Sequence, residues 1–222
     1  MKYSWIIVFL VRFICCFAVQ QGDLDSLLSS KGLINIRTLD STICVELKYA
    51  QQDNFMNQAV YKGLSQAWLR FEAAGMLVKA QRLLKLEHPA WTIVVYDAAR
   101  PMSVQRKMWS LVRGTDKTNY VSNPANGGGL HNYGMAVDVT ILDETGIPLP
   151  MGSPFDYFGE EAHTSNEEAL LKQGKINQQE YNNRRLLRRV MTKAGFRIIS
   201  YEWWHFNACS RTDARRLYPV ID

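Results

Sequence analysis

The run Ala136–Leu142, AVDVTIL, constrains the fold more than any other stretch of the chain. It reads as a strand, yet it carries a carboxylate among apolar residues. Asp138 has Ala136, Val137 and Val139 beside it. An aspartate inside a buried strand is costly unless it is paired or binds a cation. A fold that buries this strand must therefore bring a partner to Asp138.

The surrounding pattern supplies the rest of the frame. WTIVVY, Trp91–Tyr96, reads as a buried strand bounded by Pro89 and the DAARP loop. ICVELKYA, Ile43–Ala50, alternates as a strand. From Ser65 to Leu86, residues Leu69, Ala73, Met76, Leu77, Ala80 and Leu84 fall at helical spacing, with Ser65 as the N-cap. Val104, Met108 and Val112 suggest a helix starting near Ser103. Asn123–Gly129 is a loop, and DETG, Asp143–Gly146, signals a hairpin turn. Gln178–Ala194 reads as a helix stopped by Gly195, with Leu186, Leu187, Val190, Met191 and Ala194 inward. Its arginines, Arg184, Arg185, Arg188 and Arg189, are expected on a solvated face. Phe196–Phe206 is the last expected strand. Helices and strands are interspersed and the turn signals are antiparallel in character. The expected fold class is α+β, with a small antiparallel sheet carrying helices on one side. At 222 residues, 47% apolar and 21% charged, the chain suits one globular domain.

Four histidines are present, and two of them flank strands near a carboxylate. In HNYGMAVD, His131 opens the stretch and Gly134 allows a tight turn that brings His131 and Asp138 back to one point. In YEWWHF, Glu202 and His205 are three apart. A regular strand would put them on opposite faces, and a bend between Trp203 and Trp204 would let both reach one site. His88, before Pro89 at a helix exit, is expected at the surface or in a capping role, and His163 at the surface, with a place at the rim of a site as its alternative. Two histidines and one carboxylate match a catalytic zinc centre, which keeps one position open for water. On residue chemistry alone a second reading stands beside it: two buried, salt-bridged acids and two core histidines that only hydrogen-bond.

The motifs resemble those of one family. HNYGMAVD is similar to the H-x-x-G-x-A-x-D motif of the zinc D-Ala-D-Ala peptidases, and EWWH to their E-x-W-H motif. YDAARP around Arg100, GSPFD ending at Asp156, and LKYAQQDNF resemble the D-alanyl-D-alanine dipeptidase branch. The resemblance runs in order from about Ile34 to Phe206. It implies the Hedgehog/DD-peptidase-like α+β fold and one Zn²⁺ held by His131, Asp138 and His205. It also implies Glu202 as general base, Arg100 facing the oxyanion, and Asp156 holding the ammonium group of a D-Ala-D-Ala substrate. One departure stands out. The family usually has a serine one or two residues before the first histidine, where this chain has Gly129 and Leu130. The nearest alternative activity is a D,D- or L,D-carboxypeptidase acting on peptidoglycan stem peptides. A zinc-containing binding module without catalysis is a further alternative, and Glu202 and Arg100 argue against it.

The N-terminus, MKYSWIIVFLVRFICCFA, carries an early lysine, an apolar run and small residues before a cleavage point after Ala18. Residues 1–18 are therefore expected to be a signal peptide, and 19–222 a single zinc peptidase domain exported to the periplasm. An uncleaved anchor and a lipid-attached cysteine are the alternatives. Loss of Lys2 and Arg12 leaves 24 basic against 21 acidic residues, a net +3. That charge gives no case for nucleic-acid binding. Two cysteines, Cys44 and Cys209, would remain, and an oxidising compartment would allow them to pair. Export argues against a role in destroying a cytoplasmic precursor.

Overall fold

A computed structural model describes residues 24–222. The expected signal peptide lies outside the described residues. In chain order the elements are α1 (Leu24–Ser30), β1 (Ile34–Asn35), α2 (Ile36–Leu39), β2 (Cys44–Val45), β3 (Trp68–Leu69), α3 (Phe71–Glu87), β4 (Thr92–Asp97) and α4 (Met102–Val112). They continue with β5 (Ala136–Leu142), α5 (Glu167–Lys172), α6 (Gln178–Ala194), β6 (Arg197–Ile198), β7 (His205–Asn207) and α7 (Arg211–Leu217). The mixture is α+β, as the sequence indicates. Among the described residues, no helix is long and apolar enough to cross a membrane.

The main sheet has the order β2-β4-β5-β7-β6. The pairs β4–β5, β5–β7 and β6–β7 are antiparallel, whereas β2–β4 is parallel. Parallel neighbours need a long crossover, and the chain between β2 and β4 includes α3. A second, two-stranded sheet pairs β1 with β3. Along β5, Val137, Val139 and Ile141 alternate with Asp138 and Thr140, so the two sets face opposite sides of the sheet. Val137, Val139 and Ile141 are fully buried and join Leu77, Leu84, Leu187 and Met191 in one apolar cluster. Helix α6 has an Asn177–Glu180 capping box and ends at Gly195, which is in the left-handed conformation.

Register sets the functional row. Asp138 on β5 lies opposite His205 on β7 and opposite Asp97 on β4. Directly opposed residues share a face. A bulge between Val95 and Asp97 creates the second pairing. In the regular register Tyr96 would have stood opposite Asp138, and Asp97 would have faced the apolar core. One inserted residue re-aims the carboxylate.

Several elements differ from the sequence reading. Helix α3 starts at Phe71, not Ser65: the Ser65 hydroxyl donates to Asp25 at 2.8 Å, and Trp68–Leu69 is strand β3. The strand expected over Ile43–Ala50 is reduced to Cys44–Val45, followed by a 3₁₀ turn over Lys48–Ala50. Asn54 Nδ2 donates to the carbonyls of Lys48, Gln51 and Gln58 and fixes that turn. Phe196–Phe206 is not one strand but β6 and β7 with an irregular link between them. Arg184 is buried rather than solvated, and donates to the carbonyls of Met151 and Glu161. It falls on the same helical stripe as Leu187 and Met191, at spacings of three and seven. Cys44 and Cys209 are free thiols. Cys44 lies on β2 and Cys209 follows β7, on opposite sides of the intervening strands β4 and β5.

Candidate metal centre

His131 sits in a 3₁₀ turn, Leu130–Tyr133, closed by Gly134 with φ +71°. That left-handed conformation suits glycine, and a Cβ there would also press to 2.9 Å from Leu33. The turn returns the chain into β5, as the HNYGMAVD spacing suggests. Chain bends at Trp203 and Trp204 likewise turn Glu202 toward His205. Glu202 precedes the strand, so the alternation rule does not separate the two.

Three ligand atoms converge. His131 Nε2 lies 3.1 Å from His205 Nδ1, His205 Nδ1 lies 3.0 Å from Asp138 Oδ1, and His131 Nε2 lies 3.3 Å from Asp138 Oδ1. A tetrahedral zinc with bonds of about 2.0–2.1 Å needs ligand atoms roughly 3.3–3.4 Å apart. The outer nitrogens fix the tautomers. His131 Nδ1 donates to the Ala98 carbonyl at 2.7 Å, and His205 Nε2 donates to Asn207 Oδ1 at 2.9 Å. The inner nitrogens, His131 Nε2 and His205 Nδ1, face each other at 3.1 Å and both face Asp138 Oδ1. Outer hydrogen-bond partners of this kind orient histidines that bind a metal through the other nitrogen. Burial alone would raise the Asp138 pKa, but His131 and His205 outweigh it and hold the carboxyl well below the usual range. The donor set thus fits a divalent metal.

Arg100 is fixed beside this cluster. Its Nε and Nη2 donate to Asp97 Oδ2 at 2.9 and 2.5 Å, and its Nη1 donates to Gln105 Oε1 at 3.0 Å. Nη2 also lies 3.9 Å from Asp138 Oδ2, and the guanidinium rests 5.2 Å from the centre of the Tyr49 ring. Burial would lower the Arg100 pKa, yet Asp97 and its neighbours hold it well above normal. Asp97 is fully buried and also accepts from the Tyr61 hydroxyl at 2.6 Å and the Ala98 N–H at 2.9 Å. Asn132, also fully buried, donates to the Arg100 carbonyl.

Glu202 Oε2 lies 3.8 Å from His205 Nδ1. Burial pushes its pKa up to about 8, with Asp138 and Asp156 adding to the rise while His205 and Arg100 oppose it. A divalent cation beside it would draw the value back down. Glu202, Arg100, His131 and His205 share the wall of a cavity of about 430 Å³. Asp156 stands apart from that wall and lines a second cavity of about 630 Å³, linked to Arg100 through Tyr49. Its Oδ1 accepts from the Tyr49 hydroxyl at 2.9 Å and its Oδ2 from the Phe55 N–H at 3.3 Å. Burial raises its pKa to about 7, although the Tyr49 hydrogen bond works against the rise. Asp156 has φ +60°, which few non-glycine residues adopt. Trp203 lines that second cavity and Trp204 is core. His163 is half-buried, 3.0 Å from the hydroxyl of Tyr120, which lines the metal cavity. His88 caps the end of α3 and stacks on Trp91.

All six residues singled out from sequence thus lie in or beside one region. Asp97, Tyr49, Tyr61, Gln105 and Asn207 were not singled out. For Asp97 the signal was present: a carboxylate ending a buried strand, three residues before an arginine.

The D-Ala-D-Ala dipeptidase model of peptidase family M15 matches residues 29–221. This chain belongs to that family. It is 32% identical over 174 residues to the D-alanyl-D-alanine dipeptidase of Escherichia coli K12, covering 78% of this chain and 83% of the relative. It is 29% identical over 182 residues to the D-alanyl-D-alanine dipeptidase of Enterococcus faecium, covering 72% and 83%. The relative from Synechocystis, under the same name, is 29% identical over 178 residues, covering 67% and 72%.

Proposed function

We propose that this chain hydrolyses the D-alanyl-D-alanine dipeptide with one zinc ion held by His131, Asp138 and His205. The observation that carries this is the triangle of ligand atoms at 3.0–3.3 Å with a second carboxylate, Glu202, 3.8 Å from one of them. When bound, zinc supplies Lewis acidity, polarising the peptide carbonyl and making water a nucleophile near neutral pH. Glu202 in its ionised form takes the proton of the attacking water and passes it to the leaving amine. Arg100 has five N–H groups, three of which are given to Asp97 and Gln105. The remaining two face the oxygen that gains charge in the transition state. Because Asp97 and Gln105 hold the guanidinium in advance, little reorganisation accompanies the reaction.

Asp156, steadied by Tyr49 and the Phe55 N–H, receives the free ammonium of the dipeptide. This separates a dipeptidase from an enzyme that trims longer, N-acylated stems. The test is turnover of free D-Ala-D-Ala against an N-acylated stem peptide, with wild type and Asp156→Ala. The variant should lose affinity for the free dipeptide much more than for the acylated one. Faster cleavage of the acylated peptide by wild type would favour the carboxypeptidase reading instead. We also propose that residues 1–18 direct export to the periplasm, with a role in peptidoglycan turnover. A mature N-terminus at Val19 by mass spectrometry supports this, and an intact Met1 on the functional protein opposes it.

A further inference from the structure

We propose that the Ser122 hydroxyl and the Arg211 guanidinium together bind the terminal carboxylate of the peptide substrate. This rests on the reaction proposed above and adds how the acidic end of the substrate is read. A free dipeptide is a zwitterion, so its pocket needs an anion for one end and a donor-rich cation for the other. Asp156 serves the ammonium. Arg100 is a poor choice for the carboxylate, since Asp97 already matches its charge at 2.5 Å and Asp138 stands at 3.9 Å. Arg211 lines the same cavity as Glu202, His131 and His205. Its guanidinium bonds to a hydroxyl rather than a carboxylate: Nη2 donates to Ser122 Oγ at 3.2 Å. Ser122 Oγ therefore keeps its own proton to donate, and Arg211 keeps its remaining N–H groups. An O–H beside a guanidinium edge is a charge-assisted fit for a carboxylate.

Two features place Ser122 for this use. Its carbonyl accepts from Gln105 Nε2 at 2.7 Å, and the same Gln105 accepts from Arg100. The hydroxyl is thereby tied to the arginine that flanks the metal ligands. The second feature is Gly129, two residues before His131. Its backbone is extended, φ −101° and ψ −179°, which any residue adopts. Conformation therefore does not demand glycine there, but space does. A Cβ at 129 would stand 3.0 Å from Ser122 Oγ and 3.4 Å from Ser122 Cβ. The hydroxyl missing from positions 129 and 130 is supplied across this gap by Ser122.

The test compares D-Ala-D-Ala with its C-terminal amide on the zinc-loaded full chain, for wild type, Arg211→Gln and Ser122→Ala. Where the amide is not turned over, its inhibition constant against the free dipeptide replaces KM. Thermal midpoints and zinc content establish that each variant is folded and loaded. Arg211→Gln should raise KM for the free dipeptide roughly 10- to 100-fold, and Ser122→Ala about 2- to 10-fold. Both should leave the amide within about twofold, while Arg211→Lys falls between wild type and Arg211→Gln. Equal changes for the two substrates, or no change for either, overturn the carboxylate site while leaving the reaction standing. Wild type that cleaves neither substrate would overturn the reaction itself, and this inference with it.

Discussion

Asp97→Asn is the perturbation that best separates an architecture built around Arg100 from one in which that arginine is incidental. The Asp97 side chain is fully buried and accepts four hydrogen bonds, from Arg100 Nε and Nη2, the Tyr61 hydroxyl and the Ala98 N–H. Asparagine keeps the volume but removes the charge, and one oxygen acceptor becomes a donor. Arg100 is then left 9% exposed, with Asp138 at 3.9 Å as its remaining carboxylate partner. Breaking a buried pair from one side costs about 3–5 kcal/mol. For a chain of this size each kcal/mol moves the thermal midpoint by about 2–4 °C, so a drop of roughly 6–20 °C is expected. Turnover should fall as well, because Arg100 loses the charged partner that aims it. The assay is thermal unfolding and steady-state hydrolysis on zinc-loaded protein, with Asp97→Ser as a second variant. A midpoint within about 2 °C of wild type and unchanged turnover would refute the reasoning.

Three further outcomes follow from the same geometry. Glu202→Gln should keep one zinc per chain while turnover falls at least ~10²-fold; loss of zinc in that variant would mark Glu202 as a ligand instead. The KM for D-Ala-D-Ala should fall as pH rises through about 7, because Asp156 becomes an anion there and attracts the ammonium. Asp156→Asn should flatten that dependence, and an unchanged profile would remove the role. Asn207→Ala should weaken zinc binding about 10- to 100-fold in a chelator competition, since His205 loses the acceptor that orients it. Affinity equal to wild type would show that the outer partner is dispensable.

The metal ligands were legible in the sequence because their chemistry conflicts with their neighbours. Asp138 is a charge in an apolar strand, and His131 precedes a glycine that can turn the chain back. Glu202 and His205 were readable only by allowing a bend, since regular strand geometry separates residues three apart. What could not be read was lateral register. The row Asp97–Asp138–His205 depends on a one-residue bulge at Tyr96, and nothing local in WTIVVYD distinguishes a bulged strand from a regular one. Ser65 shows the opposite failure. It is a good cap by residue type, but Asp25, 40 positions earlier, takes its backbone N–H and hydroxyl. Arg184 was misjudged by type, since its spacing from Leu187 and Met191 already placed it on the inward stripe. The long expected strands at Ile43–Ala50 and Phe196–Phe206 broke where Tyr49 and Glu202 had to leave the sheet to reach the site.

The central claim is that a divalent cation completes the His131–Asp138–His205 triangle and is needed for turnover. The most direct measurement is zinc content against activity as a chelator strips the purified protein and zinc is then restored. Activity should track bound zinc linearly to one ion per chain and return on readdition. Full turnover from protein that elemental analysis finds free of any metal would contradict the claim.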